Sequence, residues 1–231
     1  TIYDDYHTLL MSVGDINMKS AYCESRKKGA GTFLITRPRD RQRSLSNEEY
    51  HFRVMLQLAI KAEEVLGVDT ASKCAHCDSN MSLTHLNYCQ GLKEGINQRH
   101  DLIRDTVIEM VRSAGIGCQP EMQSHTTQQR IDVWTTNYTQ PDQRLQQPKL
   151  GADITIISPF NQHQQYNTKT LDAAAKEKVR KYTTGQGNFQ ETMGAVIVPL
   201  AMSTFGTMHS DFHDFIAKTC TLAIKTGRHM P

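Results

Sequence analysis

Residues Cys74 to Cys89, CAHCDSNMSLTHLNYC, place three cysteines and two histidines within sixteen positions. The spacing Cys74-x2-Cys77-x7-His85-x3-Cys89 sets two thiols on a tight knuckle and follows them with an imidazole and a third thiol. Three thiolates and one imidazole make the closed tetrahedral shell that structural zinc prefers. His76 lies inside the knuckle, a poor place from which to close the shell, so His85 is the expected fourth ligand. The intervening DSNMSLT is polar and turn-prone and cannot build a core of its own, so an ion would have to order it. Four protein ligands leave no open position, which points to a structural rather than a catalytic ion. The plain alternative is a set of free cysteines at chance spacing.

A second set of candidates lies downstream. RIDVW and GADITI are strand-like and each carries one aspartate. In extended chain Ile131 and Val133 share one face, with Asp132 and Trp134 on the other. Ala152, Ile154 and Ile156 share a face in the same way, with Asp153 and Thr155 opposite. Two such strands side by side would bring Asp132 and Asp153 together. Paired carboxylates repel one another, and a hard divalent cation, Mg2+ or Mn2+, relieves that repulsion. Glu121, on the preceding strand-like stretch, is a candidate third ligand. The helix-forming LDAAAKEKVRKY then offers Lys176, Lys178 and Lys181, of which Lys178 and Lys181 are three apart and share a face. A lysine beside such an ion can orient a water molecule and stabilise charge on a phosphoryl group. Taken singly, each aspartate reads as an ordinary strand residue and each lysine as a solvated helix face. Their order, carboxylate strand, carboxylate strand, lysine helix, is what raises them.

These residues need elements to position them. Ser46 and Glu49 fit a capping box, and Tyr50, Val54, Leu58 and Ile60 predict a helix to about Glu64. Ile103, Val107, Met110 and Ala114 recur at helical spacing, with Gly115 as the stop. CQPEMQ, RIDVW and ADITIIS read as strands. LDAAAKEKVRKY reads as a helix of good formers, and AVIVPLAM as a buried strand whose Pro199 marks an edge or a bulge. Ser210 is the expected cap of a last helix, DFHDFIAKTCTLAI. From Asn97 the order is helix, three strands, helix, strand, helix: an α/β (α+β) arrangement with a small mixed sheet flanked by helices. The expected organisation is a basic and helical linker over 1–70, the knuckle over 71–96 and one folded domain over 97–231.

The totals bound the rest. The chain has 231 residues, 38% hydrophobic and 22% charged, with a formal net charge of +2. No apolar run approaches the ~20 residues of a membrane span, and TIYDDYHTLL has no signal-peptide pattern. Without an initiator Met, the chain reads as a piece of a longer protein. Cys23, Cys118 and Cys220 are scattered, which argues against a disulfide framework and for a reducing compartment. The segment Arg26 to Arg43 holds seven Lys/Arg, including Lys27, Lys28, Arg37 and Arg39, against one Asp. It is either a phosphate-neutralising arm or a solvated loop.

In this order the residues resemble the restriction-like endonuclease domain of R2-type non-LTR retrotransposons, over most of the chain. The resemblance is carried by Cys74, Cys77, His85 and Cys89; by QRHDLIRD with Arg99, His100 and Asp101; by Arg130 and Asp132; by Asp153; and by KVRKY with Lys178, Lys181 and Tyr182. GAGTFLITRP, LSNEEYHFRVML and VPLAMSTFG are also similar to segments of that family. Ile131 stands where the family has proline, Thr155 fills the third position of the D-x-K triplet, and the interval from Asp132 to Asp153 is longer than the family's. The resemblance implies a PD-(D/E)XK-like fold with core order αβββαβ. It implies a DNA endonuclease with Asp132 and Asp153 on Mg2+ or Mn2+ and Glu121 as a further ligand. Lys178, helped by Lys181, would orient the attacking water, and a structural zinc would sit in the knuckle. Arg99, His100, Arg130, Lys27, Lys28, Arg37 and Arg39 would grip DNA, although Arg99 and His100 serve equally well as a structural pin. The implied partners are double-stranded target DNA, element RNA and the rest of a reverse-transcriptase polyprotein, in the nucleus and without a membrane. A homodimer is one arrangement that would cut both strands. The released 3′-hydroxyl would prime reverse transcription.

Two other classes compete. A zinc-knuckle nucleic-acid-binding module would use the same cluster and basic residues without catalysis. A cysteine hydrolase built on Cys118 or Cys220 is a third reading, but no nucleophile motif surrounds either residue.

Overall fold

A computed structural model describes residues 72–80, 85, 89, 91, 93–136, 138, 149–159 and 171–228, together with isolated positions before residue 55. Two compact units divide the chain. One comprises 1–96, 158–170 and 203–207; the other comprises 97–157, 171–202 and 208–231. In the first, the Tyr50 amide donates to the Ser46 carbonyl at 2.9 Å, a turn at the start of the helix expected there. Glu49 of the expected capping box and the span 55–64 lie outside the described residues.

From Lys93 onward the elements follow the order α1 (Lys93–Ser113), β1 (Cys118–Gln123), β2 (Arg130–Thr135), β3 (Lys149–Ile157), α2 (Leu171–Thr183), α3 (Phe189–Met193), β4 (Ala195–Ser203) and α4 (Ser210–Lys225), nearly all of them in the second unit. The strands form one mixed sheet in the order β1-β2-β3-β4, flanked by helices. β1 and β2 are antiparallel with Cys118 opposite Thr135 and Gln123 opposite Arg130. β2 and β3 are antiparallel with Thr135 opposite Leu150 and Val133 opposite Ala152. Both edge strands carry a proline, Pro120 in β1 and Pro199 in β4. A residue with no N–H weakens an open edge as a template for a further strand.

Two apolar clusters hold the helices to the sheet. Val107, Ile108 and Val111 of α1, with Phe212, Phe215 and Leu222 of α4, pack with Val133, Ala152, Ile154 and Leu200 of the sheet. Tyr182 of α2 and Phe189 of α3 pack with Ile131, Trp134, Ala195 and Ile197. Phe189 meets the rings of Trp134 and Tyr182 edge-on, with centroids 6.2 and 5.5 Å away. Such T-shaped pairs set the positive edge of one ring against the negative face of the next.

Local chemistry sets the ends. Gly115 takes φ +80°. Its amide donates to the Arg112 carbonyl, and the Ile116 amide to that of Val111, which closes α1 as expected. The cap of α4 differs from expectation: it is His209, whose Nδ1 accepts from the Asp211 amide at 3.2 Å, and Ser210 is already helical. The short α3 had no counterpart in the periodicity. Asn188 starts it by accepting from the Glu191 amide at 3.0 Å, and Gly194 at φ +60° ends it. Alternation also fails at one point of β2. Ile131, expected beside Val133, packs with Trp134 instead, while Val133 joins the other cluster. At this point the Ile154 amide of β3 donates to the Asp132 carboxylate at 2.8 Å. Gly151 leaves the room: a Cβ there would lie 2.6 Å from Ile131 Cδ1.

Candidate functional site

Within the first unit the four expected ligands come together. The Cys74, Cys77 and Cys89 Sγ atoms and a His85 ring nitrogen all lie within 4.8 Å of one another. Cys74 Sγ is 3.6 Å from Cys89 Sγ, Cys77 Sγ is 3.8 Å from Cys89 Sγ, and Cys77 Sγ is 3.4 Å from His85 Nε2. A tetrahedral zinc with ordinary Zn–S and Zn–N lengths has S···S edges of about 3.8 Å and S···N edges of about 3.5 Å. The donor set and its spacing therefore fit a metal ion such as zinc.

The backbone explains how the chain builds this cage. The Cys74 amide donates to the Ser79 carbonyl at 2.8 Å, and the Asp78 amide to the Cys74 carbonyl at 2.9 Å. Asp78 takes φ +57°, as an Asp in a tight turn can. The His76 amide points back at Cys74 Sγ from 3.5 Å. The Cys89 amide donates to the His85 carbonyl at 3.0 Å, so these two ligands sit one helical turn apart on one side. Cys74, His85 and Cys89 are buried while Cys77 is exposed. Burial pushes the Cys89 thiol up, whereas bonds from Ser79 draw the Cys77 thiol down. His76, set aside as a ligand, packs over Gly91: a Cβ at Gly91 would lie 2.0 Å from His76 Cβ.

The second unit holds the acidic residues. The β2–β3 register that pairs Val133 with Ala152 sets Asp132 and Asp153 at the next step. Both are buried, at 8% and 2% exposure. Each is held by a different helix. From α1, His100 Nε2 lies 3.2 Å from Asp132 Oδ2, and the Ile154 amide donates to the same oxygen at 2.8 Å. From α2, Lys178 Nζ lies 2.5 Å from Asp153 Oδ2, and the Tyr182 hydroxyl lies 2.5 Å from Asp153 Oδ1. That hydroxyl is also 2.6 Å from the Arg130 carbonyl and accepts from Lys181 Nζ at 2.8 Å. It has one proton to give, so Asp153 and the Arg130 carbonyl share it.

The electrostatics follow from these contacts. Burial pushes the Asp132 carboxyl up, but the His100 and Ile154 bonds and the charges of His100 and Lys178 outweigh it, and its pKa falls below 3.8. The bond to Asp132 raises His100 above 6.5 against the effect of its own burial. Burial, with the Asp153 charge behind it, pushes the Tyr182 hydroxyl far up, so it stays a donor at every working pH. Asp153 Oδ2 is buried and has no well-aligned hydrogen bond; the Lys178 ammonium is its close cationic neighbour.

Other expected site residues lie elsewhere. Glu121 takes φ +53° in β1, and its carboxylate is taken up by Arg104 Nη1 at 2.7 Å and Arg130 Nη1 at 3.2 Å. Among the described residues the knuckle is the one group of three or more Cys, His, Asp or Glu ligand atoms this close together, so Glu121 does not complete a three-carboxylate cluster. Arg130 is largely exposed and reaches Glu121. Arg99 is half-buried on α1, and Lys27 is exposed; Lys28, Arg37 and Arg39 lie outside the described residues. Lys176 is exposed on α2. Cys118 sits in the core with its thiol pushed up to about 11 by burial, an environment that suits an inert cysteine rather than a nucleophile. Sequence reasoning missed the roles of Tyr182 and Arg104. A tyrosine one residue after a lysine on a helix carries no signal of a carboxylate on the preceding strand, twenty-nine positions away. No described helix is long and apolar enough to cross a membrane. Neither the protein-family models nor the curated proteins compared with this chain gave a match.

Proposed function

We propose that the chain is a divalent-metal-dependent DNA endonuclease domain with a PD-(D/E)XK-like core and an upstream zinc knuckle, from a non-LTR retrotransposon polyprotein. The observation that carries this reading is one convergence: two buried aspartates on adjacent strands, with Lys178 of the following helix 2.5 Å from Asp153. The element order and the resemblance of the motifs support it.

Asp132 and Asp153 would hold Mg2+ or Mn2+, for which carboxylate oxygens are suitable donors. Such an ion, when bound, supplies Lewis-acid activation of water and neutralises phosphoryl charge. The chain's own residues do the rest. Lys178 is about one-quarter exposed, so its ammonium can leave Asp153 for a phosphate oxygen or the attacking water without crossing the core. Tyr182 fixes the Asp153 carboxylate while that exchange occurs. Lys181, exposed on the same helix, adds positive charge beside it. The scissile phosphodiester would yield a 3′-hydroxyl able to prime reverse transcription in the nucleus. Lys27, Arg99 and Arg130 would add backbone contacts to double-stranded DNA, or to element RNA.

The rival reading is a binding module without catalysis. One observation favours it: each aspartate already faces a basic side chain, His100 or Lys178, and among the described residues no third carboxylate joins them. Incubation of an end-labelled duplex with Mg2+ or Mn2+, with and without chelator, separates the two. The nuclease reading expects metal-dependent cutting that Asp153→Asn abolishes while DNA binding survives. Binding of the same duplex with neither metal supporting a cut would favour the module.

A further inference from the structure

We propose that His100 is a positioning residue for the Asp132 carboxylate: it fixes Oδ2 so that Oδ1 is presented to a divalent cation, and it does not touch DNA. This rests on the reading of Asp132 as a metal ligand, not on cleavage itself. Three observations support it. First, the imidazole is bonded through Nε2, 3.2 Å from Asp132 Oδ2, and its Nδ1 has a second carboxylate as neighbour, Asp101 Oδ1 at 3.5 Å. A histidine that contacts phosphate donates outward from a ring nitrogen; here Nε2 is taken by Asp132, and a phosphate approaching Nδ1 would meet the Asp101 carboxylate. Second, Asp132 Oδ2 receives two donors, the imidazole and the Ile154 amide at 2.8 Å, and among the described residues no bond reaches Oδ1. One oxygen is thereby anchored and the other left for a ligand bond, as when outer groups orient metal-binding carboxylates. Third, Asp132 lies where the regular β2–β3 ladder stops and its own side chain takes the Ile154 amide. Strand geometry alone does not aim this carboxylate, so an outside group must. Asp153 has the same kind of support from the opposite helix, through Tyr182.

The distinguishing experiment measures Mn2+ binding by the zinc-loaded full chain, using the free-ion electron paramagnetic resonance signal. Wild type is compared with His100→Leu, His100→Asn and His100→Gln, and the Kd for duplex DNA is measured without divalent metal. The Gln amide reaches as far as Nε2, whereas the Asn amide reaches only as far as Nδ1. Loss of outer support typically weakens metal binding 10- to 100-fold. The expected result is therefore an Mn2+ Kd raised at least about tenfold in the Leu and Asn variants and largely restored by Gln. DNA affinity should change by less than about twofold throughout. If the Leu variant does not fold, Asn against Gln decides. Mn2+ affinity that is unchanged in Leu and Asn overturns the inference. So does DNA binding that falls while Mn2+ binding holds, since His100 would then be a DNA contact. A wild type that takes up no Mn2+ also overturns it. A wild type that binds Mn2+ but never cuts DNA defeats the nuclease reading and leaves the role of His100 intact.

Discussion

The knuckle and the acidic pair assemble their ligand atoms by opposite routes. The four knuckle ligands lie within sixteen residues, and local turns bring them together. Lys73 and Asn80 form an isolated bridge, Asp78 turns the chain, and one helical turn spans His85 to Cys89. A metal ion held there would supply the cohesion such a short polar segment lacks. The acidic pair instead draws on α1, β2, β3 and α2, from His100 to Tyr182. Here the apolar clusters come first, and the charged groups are placed by packing that would exist without them. One region is expected to fold on its ion. The other is a rigid frame that positions charge.

Metal removal tests this difference most severely. Chelation of zinc, or Cys74→Ser, should abolish amide protection in the knuckle; structural zinc in such small domains is worth about 10–16 kcal/mol. Strands β2 and β3 should keep theirs. Simultaneous loss of protection in the two regions by hydrogen exchange would show that the frame too depends on the ion.

The reverse experiment attacks the frame. Phe189→Ala removes the ring on which both Trp134 and Tyr182 rest and should cost about 3–5 kcal/mol by denaturant unfolding. Zinc should stay bound at unchanged stoichiometry. A cost below about 1 kcal/mol would mean that the second cluster does not position α2.

Tyr182→Phe is a finer cut. It keeps the ring but strips a donor from Asp153 and the Arg130 carbonyl, both paired with it now. Leaving buried acceptors unsatisfied should cost about 1–3 kcal/mol. A neutral or stabilising outcome would show that water or Lys181 replaces the hydroxyl.

The smallest effect is a pH dependence. His100 has its pKa raised above 6.5 in the folded state, so its contribution is full below 6.5 and is lost as pH rises through the raised value. Asp132 has its pKa lowered below 3.8, so its contribution is present above 3.8 and is lost as pH falls through the lowered value. The stability difference between wild type and His100→Leu should therefore peak between pH 3.8 and 6.5 and shrink on the alkaline side. A difference that grows above neutrality would contradict the pairing.

How much was legible in the sequence divides along the same line. The knuckle was readable because its geometry is local: spacing alone selects His85 over His76. The element order from Asn97 onward was readable because Ile103, Val107, Met110 and Ala114 and the aspartate-bearing strands carry clear periods. Misreadings fell where tertiary contacts override period. Ile131 crosses to the other face beside Gly151, which has no side chain to exclude it. Glu121, expected to join the aspartates, is drawn to Arg104 and Arg130. The contact of His100, expected to grip DNA or to pin the helix start against the knuckle, with a carboxylate thirty-two positions away carried no local signal either. The His209 cap also escaped, because the hydroxyl of Ser210 next to it is the commoner capping group.

The measurement closest to the central claim is nicking of supercoiled plasmid by wild type, Asp132→Ala and Lys178→Ala in Mg2+ or Mn2+, with binding of the same DNA followed in parallel. The account predicts that wild type nicks and that chelator stops it. Both variants should bind DNA within about twofold of wild type yet lose at least about 100-fold in rate, as when a catalytic electrostatic contact is removed. Nicking that persists at the wild-type rate in both variants would contradict it.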